Sequence, residues 1–464
     1  MLPDRVQRLF QPDSHAMQLA SLFDGAGHEL YLVGGSVRDA ILDRPHEDYD
    51  FATDARPEAV KQIVSEWADN LFTAGELFGT VSVVKDGHIF EITTYRREVY
   101  REESRQPAVD FSDDIETDLS RRDFSVNAMA LRLQPGDHEP ELVDPWGGLP
   151  DLGAMVLRTP LSPEVSFGDD PLRMLRLYRF VATLGFTADP AAADASGELA
   201  ERLEIVSAER IRDEFSKLLV APAPSGALSG LVESGLADHF IPEVPALALE
   251  QDPHHRHKDV LAHTLAVVDK TPARLEIRLA ALYHDVGKPG TREFGPGGIV
   301  SFHHHEVVGA RLARRRLRHL QFPKQVVRDV SQLVYLHMRP HTFKDGWTDR
   351  AVRRYVRDAG PLLEDLNLLV RSDVTTRNVK LERTIQRRID ELEQRIEELR
   401  EQEELDRLRP PIDGNDVMNH LGIKPGPRVG TAMDLLLEHR IDEGPYTPEE
   451  AYELLDNWVS DGLV

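Results

Sequence analysis

The chain has 464 residues, 80 of them acidic and 55 basic, and the resulting net charge of −25 argues against a protein that coats RNA non-specifically. It contains no cysteine, which excludes disulfide and thiolate chemistry and favours a reducing compartment. Its length predicts about three domains, and because no stretch is apolar enough for a secretory signal or a bilayer span, we expect a cytoplasmic protein without membrane contact.

Residues 31–53 read YLVGGSVRDAILDRPHEDYDFAT, a Gly-Gly-Ser turn followed by an arginine and two closely spaced aspartates. The pattern predicts a short apolar strand, one or two helical turns and a second strand. Asp48 and Asp50 alternate with a tyrosine on that second strand, so they project to the same face. Paired carboxylates can hold one or two Mg2+ ions against a triphosphate, because this hard cation prefers oxygen ligands. We therefore interpret Asp48 and Asp50 as catalytic metal ligands for nucleotidyl transfer.

The glycines of this segment suit the same substrate. Gly34 and Gly35 lack a Cβ, so their backbone N–H groups can approach phosphate oxygens, and the helix that follows adds a favourable dipole. Arg38 can then donate to a phosphate from both arms of its guanidinium. A Gly-Gly turn or an Asp-x-Asp strand alone is usually an ordinary surface feature. Their ordered succession favours a nucleotide-binding site.

Residues 80–95, TVSVVKDGHIFEITTY, predict two strands joined by a Lys-Asp-Gly turn. Glu91 on the second of these strands is a candidate third carboxylate for the metal site. A structural partner across the sheet is an equally good interpretation of the same residue, so the pattern leaves both roles open.

The succession GGSVRD and DYDFAT resembles the nucleotidyltransferase head of bacterial class II tRNA nucleotidyltransferases, the CCA-adding enzymes and their poly(A) polymerase relatives. Three further stretches fit that family in order: EITTYR at 91–96, RRDFSVNAMAL at 121–131 and DDPLRMLRLYRF at 169–180. The resemblance implies template-independent addition of C, C and A to tRNA 3′ ends from CTP and ATP, with release of pyrophosphate. A poly(A) polymerase, or an enzyme that adds only CC or only A, shares these residues and remains an alternative.

The resemblance also assigns nucleotide selection to residues 169–180. Asp170 and Arg173 match the family's protein template for CTP and ATP, and Arg176 and Arg179 match supporting nucleotide contacts. Cytosine and adenine both present an amino donor beside a ring-nitrogen acceptor, so one carboxylate and one guanidinium can read either base. The family usually has Glu-Asp where this chain has Asp-Asp at 169–170, but the template aspartate is retained.

The stretch at 121–131 corresponds to the family element that binds the ribose and the triphosphate. By that match Arg122 contacts phosphate, while Asp123 and Asn127 order the sugar side. Taken alone, the same stretch is a polar turn that enters an apolar strand.

Further along the chain, four residues resemble the His…His-Asp…Asp pattern of HD-domain phosphohydrolases: His263, His284, Asp285 and Asp373. His305 and His337 lie between them in sequence. Imidazoles mixed with carboxylates suit Mn2+, Ni2+ or Zn2+. The pattern predicts a metal site and, as an alternative function for the chain, a metal-dependent phosphohydrolase that acts on RNA ends.

Charge and periodicity complete the prediction for the second half. Arg350, Arg353, Arg354 and Arg357 recur at helical spacing, so we expect a basic stripe that contacts tRNA phosphates, with RLARRRLR at 311–318 as a second cluster. Two solvated helix faces are the alternative interpretation. Apolar residues at steps of three and four over 379–408 predict a long amphipathic helix with the spacing of a coiled-coil arm.

These patterns together predict an α+β protein with a small mixed-sheet head, an all-α neck, an HD-type body and a helical tail. The predicted domains are a nucleotidyltransferase head, a helical neck with the nucleotide-selecting helix, an HD metal-binding domain, and a long helix with a tRNA-binding tail, at 1–161, 162–250, 251–378 and 379–464. The partners implied are tRNA, CTP and ATP, with no stable protein partner.

Overall fold

The computed structural model describes residues 3–45, 48–99, 108–112, 114–136, 138, 140–248, 259–296, 300–343, 347–375, 379–403 and 408–464. The chain divides into two compact units, Met1–Phe240 and Ile241–Val464. Across the described ranges, no helix combines the length and the apolar character needed to cross a membrane.

Within its described residues, the first unit contains a seven-stranded mixed sheet in the order β3-β4-β5-β2-β1-β8-β9. Neighbouring strands are antiparallel except β2 and β5, which run parallel. The strands of this sheet are β1 (Leu30–Val33), β2 (Asp48–Thr53), β3 (Asn70–Phe72), β4 (Thr80–Lys85), β5 (His88–Thr94), β8 (Ala130–Arg132) and β9 (Glu141–Val143). Two short pairs lie outside it, β6 (Arg96–Val99) with β7 (Ala108–Phe111) and β10 (Val156–Leu157) with β11 (Thr187–Ala188).

The helices of the first unit flank the sheet and then continue without it. Those of the head are α1 (Asp4–Leu9), α2 (His15–Gly25), α3 (Gly35–Ile41), α4 (Pro57–Val64), α5 (Ile115–Ser120) and α6 (Gly148–Ala154). Those of the neck are α7 (Pro163–Asp169), α8 (Leu172–Leu184), α9 (Pro190–Glu198), α10 (Ala208–Leu219), α11 (Ser225–Glu233) and α12 (Leu236–Phe240). The α+β class predicted from the sequence is confirmed.

Apolar residues place β1 in the interior of the sheet. All of its residues are buried, because β2 and β8 flank it and helices cover it. In β2 the side chains alternate, so Phe51 enters the core while Asp50 stays partly accessible on the other face. The predicted turn between β4 and β5 is present, with positive φ angles at Asp86 and Gly87 that match a tight hairpin.

The second unit is almost entirely helical in its described parts. Its helices are α13 (Val260–Lys270), α14 (Leu275–Tyr283), α15 (His305–His319), α16 (Lys324–Leu336), α17 (Asp349–Ala359), α18 (Leu363–Ser372), α19 (Val379–Glu403), α20 (Gly414–Leu421), α21 (Pro427–Glu443) and α22 (Pro448–Ser460). A short hairpin, β12 (Arg292–Phe294) with β13 (Val300–Phe302), precedes α15.

The long helix predicted at 379–408 is present as α19, but it does not form a free arm. It packs against α17 and α18, and its buried positions include Ile389, Leu392 and Ile396. Arg371 at the end of α18 adds a hydrogen bond to Asp390 at 2.7 Å. The amphipathic face therefore closes the core of its own unit.

The basic stripe on α17 is also committed to an intramolecular contact. Arg350 lies 2.7 Å from Asp442, and both Arg354 and Arg357 pair with Glu438, at 2.8 and 2.6 Å. Both carboxylates belong to α21. Three arginines of the stripe are therefore paired with α21, and contact of the stripe with tRNA phosphates stays a prediction.

Members of the stripe should differ sharply in their effect on stability. The Arg353 side chain is buried and its Nη1 donates to the carbonyl of Ile441 at 3.1 Å. Arg353→Ala should lower the free energy of unfolding by about 1–3 kcal/mol, because it leaves a buried carbonyl unpaired. The more exposed Arg354→Ala should cost less than about 1 kcal/mol, since surface ion pairs are weak. Urea denaturation followed by circular dichroism measures both, and equal losses would contradict the assignment.

Candidate functional site

The end of β1 brings three predicted residues together. Gly34 has a φ of +71°, a left-handed conformation that favours glycine. A Cβ at Gly34 would lie 2.6 Å from Nη1 of Arg122 and 3.8 Å from Oδ2 of Asp50. The Ser36 hydroxyl at the start of α3 accepts a hydrogen bond from the backbone N–H of Asp50 at 3.0 Å. The turn, the acidic strand and the 121–131 stretch thus form one site.

Two further carboxylates belong to this edge of the sheet. Asp48 begins β2, and its side chain lies outside the described part of the structure. Glu91 stands directly opposite Asp50 on the parallel neighbour β5, and its side chain is exposed. Residues that face each other across adjacent strands share a face of the sheet. That position is compatible with a third carboxylate, and the role stays a prediction.

A buried polar network fixes the arginine of the Gly-Gly-Ser helix. Nη1 of Arg38 donates to Oδ1 of Asn127 at 2.6 Å, and Nδ2 of Asn127 donates to Oδ1 of Asp123 at 2.9 Å. Arg176 of α8 donates to the other oxygen of Asp123 from Nε and Nη2, at 2.8 and 2.5 Å. Burial opposes ionisation of Asp123, but the Arg176 charge and these hydrogen bonds outweigh it and hold its pKa well below the usual range. Asp123 is therefore ionised at neutral pH.

The network continues to a residue that the sequence analysis missed. Glu214 of α10 is buried and accepts a hydrogen bond from Nε of Arg179. It also lies 3.6 Å from Nη1 of Arg176. The guanidinium of Arg179 stands 3.8 Å above the Phe180 ring. Glu214 follows Ile211 by three residues, a position on the apolar stripe of α10 that should have marked it as a buried carboxylate.

Asp170 lies in a break between two helices of the neck. Here α7 ends at Asp169 and α8 begins at Leu172, and Asp170 between them has an extended conformation. Pro171 explains the break, because a proline disfavours helical geometry in the residue before it. One oxygen of Asp170 accepts from the N–H of Leu172 at 3.2 Å and the other from Arg210 at 2.9 Å.

Arg173, the second predicted template residue, is the second residue of α8 and is buried. Its Nη1 donates to the hydroxyl of Ser166 at 3.0 Å, and its Nη2 donates to the carbonyl of Arg121 at 2.5 Å. Asp170 and Arg173 therefore occupy the same end of α8, and contacts from α7, α10 and the residue after α5 hold them there.

A second missed carboxylate holds Arg122, the arginine predicted to bind phosphate. Asp118 in α5 is buried and lies 3.2 Å from Nη2 of Arg122. It also accepts two hydrogen bonds from Arg121, at 3.0 and 2.7 Å. Burial opposes its ionisation, but the two arginines lower its pKa below the usual range. Its position three and four residues before an arginine pair is the signal that could have identified it.

The second unit contains a separate cluster of potential metal ligands. Ligand atoms in each of two groups lie within 4.8 Å of one another, and the groups are His263, His284 and Asp373, and Asp285, His305 and His337. The residues come from α13, from the ends of α14, α16 and α18, and from the start of α15. The structure thus brings together all four predicted HD-type residues and adds the two histidines between them in sequence.

The negative charges around the first of these groups favour a bound cation. Nε2 of His263 lies 2.9 Å from Oδ1 of Asp373 and 3.3 Å from Nε2 of His284. Burial opposes a charge on His284, but Asp285 and Asp373 outweigh it and raise its pKa to about 10. Positive charge is therefore favoured at this position, and a divalent cation would supply it.

Each histidine of the cluster is anchored through Nδ1, an arrangement that directs Nε2 toward a metal. The anchors are the Thr375 hydroxyl for His263 and the carbonyls of Ala281, Phe302 and Val334 for His284, His305 and His337, at distances of 2.6, 2.7, 2.8 and 2.6 Å. Burial lowers the pKa of His337 to about 3, so its ring is neutral and able to act as a ligand.

Three family models match this chain. The Poly A polymerase head domain covers residues 30–158, the probable RNA and SrmB-binding site of polymerase A covers 185–247, and the HD domain covers 255–393. The candidate transferase residues at the end of β1 lie inside the first match, and the metal-ligand cluster lies inside the third.

Two curated relatives align with different lengths of this chain. A CCA-adding enzyme of Geobacillus sp. (strain WCH70) is 41% identical over 227 residues, which span 49% of this chain and 54% of that protein. The chain therefore aligns with only about half the length of such relatives. An A-adding tRNA nucleotidyltransferase of Deinococcus radiodurans is 33% identical over 444 residues, which span 93% of this chain and 95% of that protein.

Solved structures show the same overall fold. The Bacillus stearothermophilus CCA-adding enzyme in complex with CTP is 25% identical, with a TM-score of 0.67 over 97% of this chain and 98% of that one. A Thermotoga maritima CCA-adding enzyme complexed with tRNA is 18% identical, with a TM-score of 0.58 over 99% and 96% of the two chains. At that lower identity the likeness concerns the fold alone.

Adjacent glycines of the candidate site should tolerate substitution very differently. Gly34→Ala places a Cβ 2.6 Å from Nη1 of Arg122 and strains a positive-φ residue by about 1–2 kcal/mol. We expect it to displace Arg122 and weaken binding of a nucleoside triphosphate at least about tenfold, as measured by calorimetry. In Gly35→Ala the new Cβ would meet Nη2 of Arg38 at 3.5 Å, an ordinary contact, so this control should bind normally. Equal effects in both variants would argue against the close approach at Gly34.

Proposed function

Because the chain belongs to the tRNA nucleotidyltransferase family, we propose that it adds C, C and A to tRNA 3′ ends from CTP and ATP and releases pyrophosphate. The observation that carries the proposal is the meeting of Gly34, Asp50 and Arg122 at the end of β1. This turn, acidic strand and arginine lie in the part of the chain that matches the Poly A polymerase head domain. The similar Bacillus stearothermophilus structure holds CTP, one of the two proposed substrates.

In this proposal the site residues have separate roles in binding the triphosphate. Asp48 and Asp50 would hold Mg2+, and Asp50 fits that ion because it offers a carboxylate oxygen beside Gly34 and Arg122. Bound Mg2+ would neutralise phosphate charge and favour in-line attack by the RNA 3′-hydroxyl. Arg122 would bind phosphate, and the N–H groups of Gly34 and Gly35 would approach phosphate oxygens.

Selection between nucleotides would take place at the start of α8. Asp170 would accept from the amino group of cytosine or adenine, and Arg173 would donate to the neighbouring ring nitrogen. Guanine and uracil present a carbonyl and an N–H at these positions, so the carboxylate would face an acceptor and the guanidinium a donor. Each unpaired group would cost roughly 1–3 kcal/mol. Arg176 and Arg179 would support the template from their contacts with Asp123 and Glu214 rather than as free cations.

The proposed domain organisation extends this assignment along the chain. The head at 1–161 would carry transfer, the neck at 162–250 selection, the body at 251–378 metal binding and the tail at 379–464 tRNA binding. The family matches at 30–158, 185–247 and 255–393 support the first three divisions.

A truncated-tRNA assay tests the proposed reaction. Transcripts that end at the discriminator base, after one C or after two Cs are incubated with each labelled NTP alone and with all together, and the products are sequenced. We expect C on the first two substrates and A only after CC. Incorporation of A alone would instead establish an A-adding enzyme, the alternative favoured by the Deinococcus radiodurans relative that matches nearly the whole chain. Runs of A would indicate a poly(A) polymerase.

The metal carboxylates provide the internal control for that assay. Asp50→Asn should lower incorporation by more than about 100-fold with unchanged circular dichroism, because the variant loses a charged oxygen ligand at the reacting phosphate. Asp43→Asn removes an exposed carboxylate of the same segment at a positive-φ position that asparagine tolerates, so its activity should be normal. Retained activity in Asp50→Asn would remove the basis of the mechanism.

For the second unit, we propose that His263, His284, Asp285 and Asp373 bind Mn2+, Ni2+ or Zn2+. The two Nδ1-anchored histidines, of which His284 is buried, and the two carboxylates fit such an ion. Bound there, it would provide a Lewis acid for cleavage of phosphate esters at RNA ends, a second activity that the complete ligand set favours.

Elemental analysis tests this second proposal directly. The purified chain should carry a transition metal and hydrolyse p-nitrophenyl phosphate or RNA with a terminal phosphate, and chelation should abolish the hydrolysis. His284→Ala should lose the bound metal and the hydrolysis. The control His239→Ala changes a partly exposed histidine of the other unit and should keep both. A metal-free wild-type protein without hydrolytic activity would reduce the body to a scaffold.

A further inference from the structure

A cavity of about 250 Å3 lies in the first unit, against the sheet of the head. Residues of β2 and β5 form its floor, and residues of α1, α2 and α3 form its walls. Tyr49 in the floor alternates along β2 with Asp48 and Asp50, so it faces the opposite side of the sheet from them. Ser36, whose hydroxyl accepts from the backbone N–H of Asp50, lines the cavity from α3. A ligand in the cavity would therefore lie directly behind the proposed catalytic strand and outside the transferase site.

The floor of the cavity is aromatic. Tyr49 and Phe90 are directly paired across the two parallel strands, and their rings stack with centroids 5.6 Å apart and planes inclined by 18°. The rings of His15 and His88 lie 5.5 and 6.4 Å from that of Phe90. Aromatic faces and edges attract other planar rings. Because sites for small molecules usually measure roughly 300–1,000 Å3, a cavity of this size fits a ligand with a single ring system.

Positive charge lies on the α1 side of the cavity. Arg5 and Arg8 line it from that helix, one helical turn apart. Nε of Arg5 is shielded from solvent and has no hydrogen-bond partner among the described residues, although Oδ1 of Asp43 lies 3.4 Å away. Arg8 is exposed, and within the described part of the chain its side chain forms no ion pair or hydrogen bond. Such guanidinium donors are best satisfied by an anionic group such as a phosphate or a carboxylate.

We propose that this cavity binds a small aromatic anion, a planar ring that carries a phosphate or a carboxylate group. The ring would lie against Tyr49 and Phe90, and the anionic group would accept hydrogen bonds from Arg5 and Arg8. The combination discriminates against ligands that offer only one of the two groups, because an inorganic anion lacks the ring and a neutral aromatic compound lacks the charge. The proposal does not depend on the reaction assigned to the other face of β2.

Isothermal titration calorimetry of the full chain with phenylphosphonate tests the proposal. This probe is an aromatic anion without an ester bond, so the hydrolytic activity proposed for the second unit cannot consume it. A chelator in the buffer removes metal ions that would bind the probe elsewhere. We expect one saturable site per chain, with an affinity at least about tenfold above the affinities for inorganic phosphate and for benzyl alcohol, because each of these lacks one of the two groups.

Two variants and two controls locate the bound probe. Arg8→Ala removes an exposed cation and Ala40→Leu fills part of the cavity from α3, so each should weaken binding about tenfold. Gln7→Ala changes an exposed residue of α1 that does not line the cavity, and it should bind the probe normally. Arg122→Gln removes the arginine predicted to bind phosphate at the transferase site and should also bind normally. Circular dichroism checks the fold of each variant.

Three results would overturn the proposal: no saturable binding by the unmutated chain, unchanged affinity in Arg8→Ala, or loss of binding in Arg122→Gln, which would place the probe at the transferase site. Because Arg8 is exposed, its variant decides the question even if Ala40→Leu does not fold. Competition in the Arg122→Gln chain then identifies the anionic group. Displacement of the probe by AMP would assign the site to nucleoside monophosphates, and displacement by benzoate alone would assign it to aromatic carboxylates.

Discussion

The ionised carboxylate of Asp123 is the contact on which the first unit depends. It is buried, and it accepts from Asn127 on one oxygen and from Arg176 on the other. A buried charge is tolerated only when it is paired and hydrogen-bonded. Removal of either partner would leave the buried carboxylate incompletely paired and destabilise the fold. Asn127 in turn holds Arg38 next to the Gly-Gly turn. One carboxylate therefore couples the proposed nucleotide-binding turn to α8, at whose start the proposed template residues lie.

In the second unit, the candidate metal ligands are positioned at the ends of helices. The last carbonyls of a helix have no partner within it. His284 and His337 stand at the C-terminal ends of α14 and α16, and each donates from Nδ1 to the carbonyl three residues earlier. A single hydrogen bond thus satisfies the helix terminus and turns Nε2 toward Asp285. Convergence of several helix ends is consequently enough to build a ligand cluster from ordinary α-helical packing.

Features that depend on neighbouring residues could be predicted from the sequence. Contacts between residues far apart in the chain could not. The strand, glycine turn and helix around Gly34 follow from apolar runs and glycine alone, and they are present. Pro171 could have predicted the break at Asp170, because its effect on the preceding residue is local. By contrast, the partners of the α17 stripe are far away in the chain, with Arg354 and Glu438 separated by 84 positions. No periodicity within one helix reveals whether its charged face meets solvent or another helix.

That distinction also resolves the conflict between an acidic chain and a phosphate-binding function. Net charge is a sum over the molecule, whereas a phosphate responds to charges within about a Debye length, roughly 8–10 Å in physiological salt. In the described structure Arg350, Arg354 and Arg357 are paired with carboxylates of α21, and Arg311, Arg314 and Arg318 are exposed on α15. The first residue of that helix is His305, part of the ligand cluster. Basic character is therefore concentrated on a helix that begins at a candidate phosphoester site, and a net charge of −25 places no constraint on it.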